Sequence, residues 1–201
     1  MLKIGLTGNI GCGKSSISKE LKKCGINIID ADIISREIYE YDDMLEKIKR
    51  YFPNTIKNHK VDRKELGKIV FSDAKKLELL NKITHKKIRQ IVEERLKECE
   101  EKKVVGLVDA ALLYEANFDS MVDKVVLVYC GEKEQLKRVV LRDNISEEEA
   151  LRRISSQMSQ VEKMKRADYI IDNSASFEEL DMNIEKLIRE IEKWKEEYGG
   201  M

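Results

Sequence analysis

Residues 8–15 read Gly-Asn-Ile-Gly-Cys-Gly-Lys-Ser, which is the spacing G-x-x-x-x-G-K-S. A stretch of this kind restricts the whole chain, because it works only between a strand and a helix. The flanks meet that condition. Leu2-Lys3-Ile4-Gly5-Leu6 is a short apolar run suited to a buried strand, and Ser16 to Lys23 sets Ile17 and Leu21 on one helical face. Glycines permit positive φ, so successive N–H groups can converge on one phosphate. The N-terminus of the following helix adds partial positive charge. In this pattern the lysine, Lys14, reaches the β- and γ-phosphates, and Ser15 offers its hydroxyl to Mg²⁺. A nucleotide site is therefore expected at Gly11, Cys12, Gly13, Lys14, Ser15 and Ser16.

Bulk properties narrow the function classes. Lys+Arg and Asp+Glu both number 38 in 201 residues, so the formal net charge is zero and no global basic field favours nucleic acid. No apolar run reaches membrane-spanning length, and the N-terminus leads straight into a strand, so a cytoplasmic protein is expected. The four cysteines, Cys12, Cys24, Cys99 and Cys130, form no C-x₂-C half-site and are expected to be unpaired thiols. Cys12 stands at a helix N-terminus, where thiol pKa falls, so it is expected to react when nucleotide is absent. His59 and His85 are far apart and make no metal pattern.

The chain in order alternates strands and helices. Gly25 suits the stop of the first helix. Ile26-Asn27-Ile28-Ile29 predicts a second strand, ending in Asp30-Ala31-Asp32. If strand geometry persists, Asp30 and Asp32 share one face, at the sheet edge where open α/β sheets bind ligands. Asp32 otherwise serves as the cap of the helix that follows. From Asp42 to Lys103 no strand signal appears. A helix from Asp42 to Phe52 stops at Pro53, and Asn54 to Lys60 is polar and loop-like. Asp62 looks like the cap of Arg63–Phe71, and Ser72 the cap of a helix through Leu80. A further helix spans about His85 to Lys102, with Ile88, Ile91, Val92, Leu96 and Cys99 at helical spacing. So long an insertion is a natural place for a second substrate. Val104–Val108 predicts the third strand, and Asp109 at its end can hold Mg²⁺ directly or through water. Ala110–Asp119, containing Glu115, is a loop or short helix, and Val125–Tyr129 is the fourth strand. Continuous apolar runs of this kind fit a parallel sheet covered on both faces.

Two basic helices come next. Glu132–Asp143 carries Lys137, Arg138 and Arg142; Ser146-Glu147-Glu148-Glu149 is a capping box opening a helix with Arg152 and Arg153. They suit either a lid over phosphates or two solvated surface helices. Tyr169-Ile170-Ile171 is a fifth strand. Ser176 and Glu179 form another capping box, and the stripe Leu180, Ile184, Leu187, Ile191 and Trp194 is core packing.

Four stretches resemble the dephospho-CoA kinase family. They are Gly5-Leu6-Thr7-Gly8-Asn9-Ile10-Gly11-Cys12-Gly13-Lys14-Ser15; Gly25 to Asp30-Ala31-Asp32; Asp109-Ala110-Ala111-Leu112-Leu113-Tyr114-Glu115; and Gln157 with Lys163, Ala167-Asp168 and Ile171-Asp172-Asn173. The family usually has glycine at Asn9, serine at Cys12, and proline at Ala111 and at Lys86 after His85. The resemblance implies an α/β P-loop kinase core with a five-stranded parallel sheet, a helical substrate-binding insertion and a helical lid. On this sequence those parts fall at residues 1–41, 104–130 and 166–201 for the core, 42–103 for the insertion and 131–165 for the lid. It implies transfer of the γ-phosphoryl of ATP, with Mg²⁺, to the ribose 3′-hydroxyl of dephospho-CoA. Lys14, Asp32 and Arg142 would be catalytic, with Asp32 the base and Arg142 a lid arginine that also touches ATP. Asp32, His85, Asp109 and Glu115 would meet the acceptor. No motif encodes an oligomeric state; a monomer is slightly favoured.

Overall fold

The computed structural model of the chain describes residues 1–174 and 177–199. In chain order the first elements are β1 (Lys3–Thr7), α1 (Lys14–Lys23), β2 (Asn27–Asp30), α2 (Ala31–Glu37) and α3 (Asp42–Tyr51). Next come β3 (Ile56–Lys57), β4 (Lys60–Val61), α4 (Arg63–Phe71), α5 (Ala74–Glu101), β5 (Gly106–Asp109) and β6 (Lys124–Tyr129). The last are α6 (Glu132–Asp143), α7 (Glu147–Ser155), α8 (Gln160–Met164), β7 (Tyr169–Asp172) and α9 (Phe177–Gly199). Contacts divide the chain into two compact units, one of residues 1–30 with the described part of 95–201, the other Ala31–Glu94.

The first unit is an α/β layer structure around a five-stranded sheet in the order β2-β5-β1-β6-β7, with every neighbouring pair parallel. Parallel strands are buried on both faces and so tolerate unbroken apolar runs. That is what β6 shows, with Val126, Leu127 and Val128 all fully buried. One face packs Ile4, Leu6, Leu107, Val126 and Val128 against Ile17 and Leu21 of α1 and against α9. From α9 come Leu180, Ile184, Leu187, Ile191 and Trp194, the stripe expected from its period. Each such side chain taken out of water contributes roughly 1.5–3 kcal/mol. Trp194 also meets Tyr169 edge to face, ring centres 6.4 Å apart. The proposed cap of α9, Ser176, lies outside the described residues.

Register sets the edge that matters for chemistry. Leu6 pairs with Asp109, and Asp109 pairs with Asp30. The C-terminal ends of β1, β5 and β2 therefore stand level, where an open α/β sheet binds its ligands.

The second unit is mainly helical, with Ile48, Phe52, Leu66, Val70 and Leu80 as its core. Asp62 caps α4 by accepting a hydrogen bond from the N–H of Glu65 at 3.0 Å, as its position predicts. Three expectations change here. The polar stretch after Pro53 is not plain loop: β3 and β4 pair antiparallel. Asn58 and His59 turn the corner between them with φ of 48° and 59°, the left-handed backbone that a tight hairpin needs. The two helices expected around Leu80 and His85 are one helix of 28 residues, α5. No glycine or proline interrupts Ala74–Glu101, and the β-branched Thr84 returns its hydroxyl to the Leu80 carbonyl at 2.9 Å. The cap of α5 is also displaced by one residue. Asp73, not Ser72, accepts from the N–H groups of Lys75 and Lys76, at 3.0 and 3.2 Å, while Ser72 donates back to the Ile69 carbonyl.

Asp73→Ala is therefore expected to lower the thermal midpoint, and Ser72→Ala to leave it nearly unchanged, in circular-dichroism melts. The α5 amides, that of Lys76 first, hold the Asp73 carboxyl below its ordinary value. Its contribution is present above the unfolded carboxylate pKa and is lost as pH falls, so the Asp73→Ala deficit narrows in acid.

Candidate active site

The loop between β1 and α1 is shaped by close approach and by backbone hand. A Cβ on Gly8 would stand 2.7 Å from the Val128 carbonyl oxygen, so no larger residue fits beside β6. Gly11 and Gly13 have φ of 85° and 83°, which glycine adopts without strain. The N–H of Cys12 closes on the Asn9 carbonyl and that of Ser16 on the Gly13 carbonyl, each at 3.0 Å. Lys14 and Ser15 supply the opening amides of α1, which have no partner within a helix. No side chain caps α1 and no acidic residue lies in its first turn, so its partial positive charge is left for an anion.

Side chains from the second half of the chain hold this loop. Gln157 Oε1 accepts from the Ile10 N–H at 2.8 Å. Gln135 Nε2 donates to the Ile10 carbonyl at 2.8 Å. Asn173 Nδ2 donates to the Cys12 carbonyl at 2.8 Å. Asn9 Nδ2 donates to the Met158 carbonyl at 2.9 Å. Gln135 and Gln160 were not singled out from sequence, and Gln157 and Asn173 were seen only as parts of a pattern. Their signal is an amide side chain where the neighbours are core residues: Gln135, Gln160 and Asn173 are all buried.

Two charged pairs complete the floor. Lys14 opens α1 and pairs through its Nζ with the buried Asp109 Oδ1. Burial pushes the Asp109 carboxyl above its ordinary value, against the lowering pull of Lys14. Glu115 accepts from the Met158 N–H at 2.8 Å and from Lys163 Nζ at 3.2 Å. Lys163 has no exposed side-chain surface and also donates to the Ala111 carbonyl at 2.8 Å. Glu115 thus ties loop to loop.

The remaining candidates are spread out. Arg142 lies at the exposed end of α6, bonded to Asp143 through Nε at 2.7 Å and Nη2 at 3.1 Å. Arg153 joins the same carboxylate at 3.0 Å. The basic side chain that α6 brings to the loop is Arg138. Its Nη1 donates to the Asn173 carbonyl at 2.9 Å, and Nε pairs with Glu134. β2 ends at Asp30 and Asp32 belongs to the first turn of α2, so strand alternation does not set its direction. His85 faces solvent from α5, its imidazole held below the ordinary value by partial shielding. Cys12 is not an activated thiol: it is fully buried, and its hydrogen bond to Cys130, with burial, raises its pKa. Oxygen donors suited to Mg²⁺ are present in Ser15 and Asp109. Among the described residues no cluster of three or more His, Cys, Asp or Glu gathers.

Lys14→Met removes the partner of a buried carboxylate, so it is expected to lose about 1–3 kcal/mol of stability at neutral pH. With Lys14 gone, the Asp109 pKa rises further. A raised carboxyl contributes stability below the ordinary carboxylate range and loses it as pH rises through the raised value. Denaturant titrations should therefore show a deficit that opens as pH rises through the already raised Asp109 value of the unsubstituted chain and shrinks below it. A deficit independent of pH would mean that Asp109 is not the group left unpaired.

The comparisons with known proteins agree with this geometry. The model of the dephospho-CoA kinase family matches residues 2–179. The dephospho-CoA kinase of Carboxydothermus hydrogenoformans is 41% identical, over 96% of this chain and 94% of its own. Among solved structures, a protein named TT1252 from Thermus thermophilus superposes with a TM-score of 0.81 at 32% identity, covering 94% of this chain and 97% of its own. The dephospho-CoA kinase of Campylobacter jejuni superposes with a TM-score of 0.74 at 31% identity, covering 99% and 98%. A phosphate loop at the carboxyl edge of a five-stranded parallel sheet, matched along almost the whole sequence, places this chain in the dephospho-CoA kinase family.

Proposed function

We propose that the chain transfers the γ-phosphoryl of ATP to the ribose 3′-hydroxyl of dephospho-CoA, giving CoA and ADP. The observation that carries this is the phosphate loop, its helix N-terminus with no side-chain cap and no acidic residue in its own first turn, and its lysine paired with Asp109, in a chain of this family. Phosphoryl transfer asks a protein mainly for positioning and for charge against the phosphate oxygens. The loop from Gly11 to Ser16 holds the β- and γ-phosphates, through amides other than those of Cys12 and Ser16, which close within the loop. Lys14 exchanges its carboxylate partner for these oxygens and neutralises charge that grows on the ADP side. Ser15 and Asp109 hold Mg²⁺, which when bound offsets the charge of the phosphates.

At the acceptor end, Asp32 takes the proton of the 3′-hydroxyl as its oxygen bonds to the γ-phosphorus and the bond to the ADP oxygen breaks. A carboxylate there receives an incoming hydroxyl and repels an incoming phosphate, so an alcohol acceptor is favoured over a nucleoside monophosphate. Arg142 leaves Asp143 and closes on the transferring group. The family resemblance assigns His85 and Asp109 to acceptor binding, and Glu115 acts by holding Met158 and Lys163 in place.

ADP release coupled to NADH oxidation tests the acceptor. Fast turnover is expected with dephospho-CoA, and little with AMP, CMP or shikimate; faster turnover on AMP would overturn the assignment. Asp32→Asn should lower kcat by about 10²-fold or more, with ATP affinity nearly unchanged, because Asn keeps the shape and loses the basicity. Full kcat in that variant would remove Asp32 as the base. Arg142→Ala should lower kcat on the order of 10²-fold or more. A change confined to the KM for ATP would restrict Arg142 to ground-state binding.

A further inference from the structure

The phosphate loop and the end of β6 meet through two thiols that phosphoryl transfer does not use. Cys12 Sγ and Cys130 Sγ lie 3.2 Å apart, and both side chains are fully buried. Cys12 stands between Gly11 and Gly13. Cys130 directly follows β6 and is separated from α6 by Gly131 alone. Gln160 fixes the pair. Its Oε1 accepts from the Cys12 thiol and from the Cys130 N–H, each at 3.2 Å. Its Nε2 donates to the Cys130 carbonyl and to Gln135 Oε1, each at 3.0 Å. The two sulfurs therefore face each other in a built setting. The other cysteines do not share it: Cys24 is exposed after α1, and Cys99 is buried beside Asn27.

We propose that Cys12 and Cys130 form an oxidation site, which a hydroperoxide converts to a disulfide that clamps the phosphate loop to the base of α6 and stops turnover. The Cys130 sulfur attacks a peroxide oxygen, the O–O bond breaks, and the departing oxygen takes the thiol proton and leaves as water. Cys130 is then a sulfenic acid. The Cys12 sulfur attacks it, the S–S bond forms, the S–O bond breaks, and the released hydroxide takes the Cys12 proton. Two thiols lose two electrons, and one hydrogen peroxide becomes two waters. The order follows from the site. The Cys12 hydrogen bond and the Arg138 charge favour the Cys130 thiolate, whereas the same bond and burial hold the proton on Cys12.

The movement required is small but badly placed for nucleotide. The sulfurs must close to an S–S bond of about 2.05 Å. Gly11 and Gly13, on either side of Cys12, can absorb the backbone change. That change shifts the Cys12 carbonyl against Asn173 and turns the amides that open α1. Gln160 Oε1 keeps the Cys130 N–H after oxidation, so losing the thiol hydrogen strands no buried acceptor. Because both sulfurs are buried, oxidant enters by local opening of the loop and reacts more slowly than at the exposed Cys24.

The test uses the full chain carrying Cys24→Ser, which removes intermolecular disulfides. The reduced protein is exposed to hydrogen peroxide, its free thiols are alkylated, and peptides are mapped without reduction. A Cys12–Cys130 peptide lighter by two hydrogens is expected. Turnover should fall about 10²-fold in step with it, as a displacement of roughly an ångström at the reacting groups can cost. Dithiothreitol should restore it, and Cys130→Ala should keep its turnover through the same exposure. Three results would overturn the proposal: both thiols still free to alkylation in denaturant after prolonged exposure to excess peroxide; a cross-link without loss of turnover; or Cys130→Ala inactivated as fast as the Cys24→Ser chain. Should Cys130→Ala not fold, Cys130→Ser carries the same comparison, with its melting temperature as the check. The turnover arm rests on the kinase assignment. The cross-link is read by mass and needs no substrate, so failure of either is told from failure of the other.

Discussion

A loop that binds phosphate through its amides must leave those amides unspent, yet an unspent buried backbone group is costly. The loop after β1 resolves this by contracting out its other polar groups to side chains. Ile10 gives its N–H to Gln157 and its carbonyl to Gln135. The Cys12 carbonyl goes to Asn173. Gln160 links Gln135 to the end of β6. A helix or a strand would have consumed these backbone groups internally, so the irregular backbone is the functional state, and the ring of amide side chains keeps it in one shape.

Charge follows the same logic. Asp109 is buried at the end of a central strand, and a buried carboxylate needs a partner. Lys14 supplies it, and the pair stands where nucleotide phosphates would bring negative charge of their own. The lysine is ordered by the carboxylate before any nucleotide arrives. Its competing attractions are set by the register that brings Asp109 level with Leu6, one residue before the loop strand ends.

Much of this was legible in the residues. The phosphate loop, the five strands and the α9 stripe rest on patterns of fixed period or fixed spacing, which are local and survive tertiary context. What escaped depended on partners far away in the chain. Nothing local says that Asp109 would claim Lys14, or that Glu115 would serve Met158 and Lys163. Cys12 was misjudged because the helix N-terminus suggested a lowered pKa, while burial against Cys130 works the other way and wins. Two smaller misses were of local chemistry. Ser72 and Asp73 are adjacent, and the carboxylate took the cap. The stretch between Leu80 and His85 was left outside both expected helices, but the Thr84 hydroxyl bonds back within α5 and the helix runs on. Of the candidate site, Lys14, Ser15 and Asp109 were named from spacing alone, and the Lys14–Asp109 pairing could not be.

The clamps on the loop span unusual distances along the chain. Ile10 waits for Gln157, 147 residues later, and Cys12 for Asn173, 161 residues later. Synthesis proceeds from the N-terminus at about 5–20 residues per second, so the loop leaves the ribosome among the first segments and is secured among the last. Until then its glycines carry no fixed shape, and the nascent chain presents no finished phosphate site. Nucleotide therefore meets this protein only after nearly all of it exists. A product truncated before Gln157 carries the whole phosphate-loop sequence without the Gln157 and Asn173 side chains that hold it.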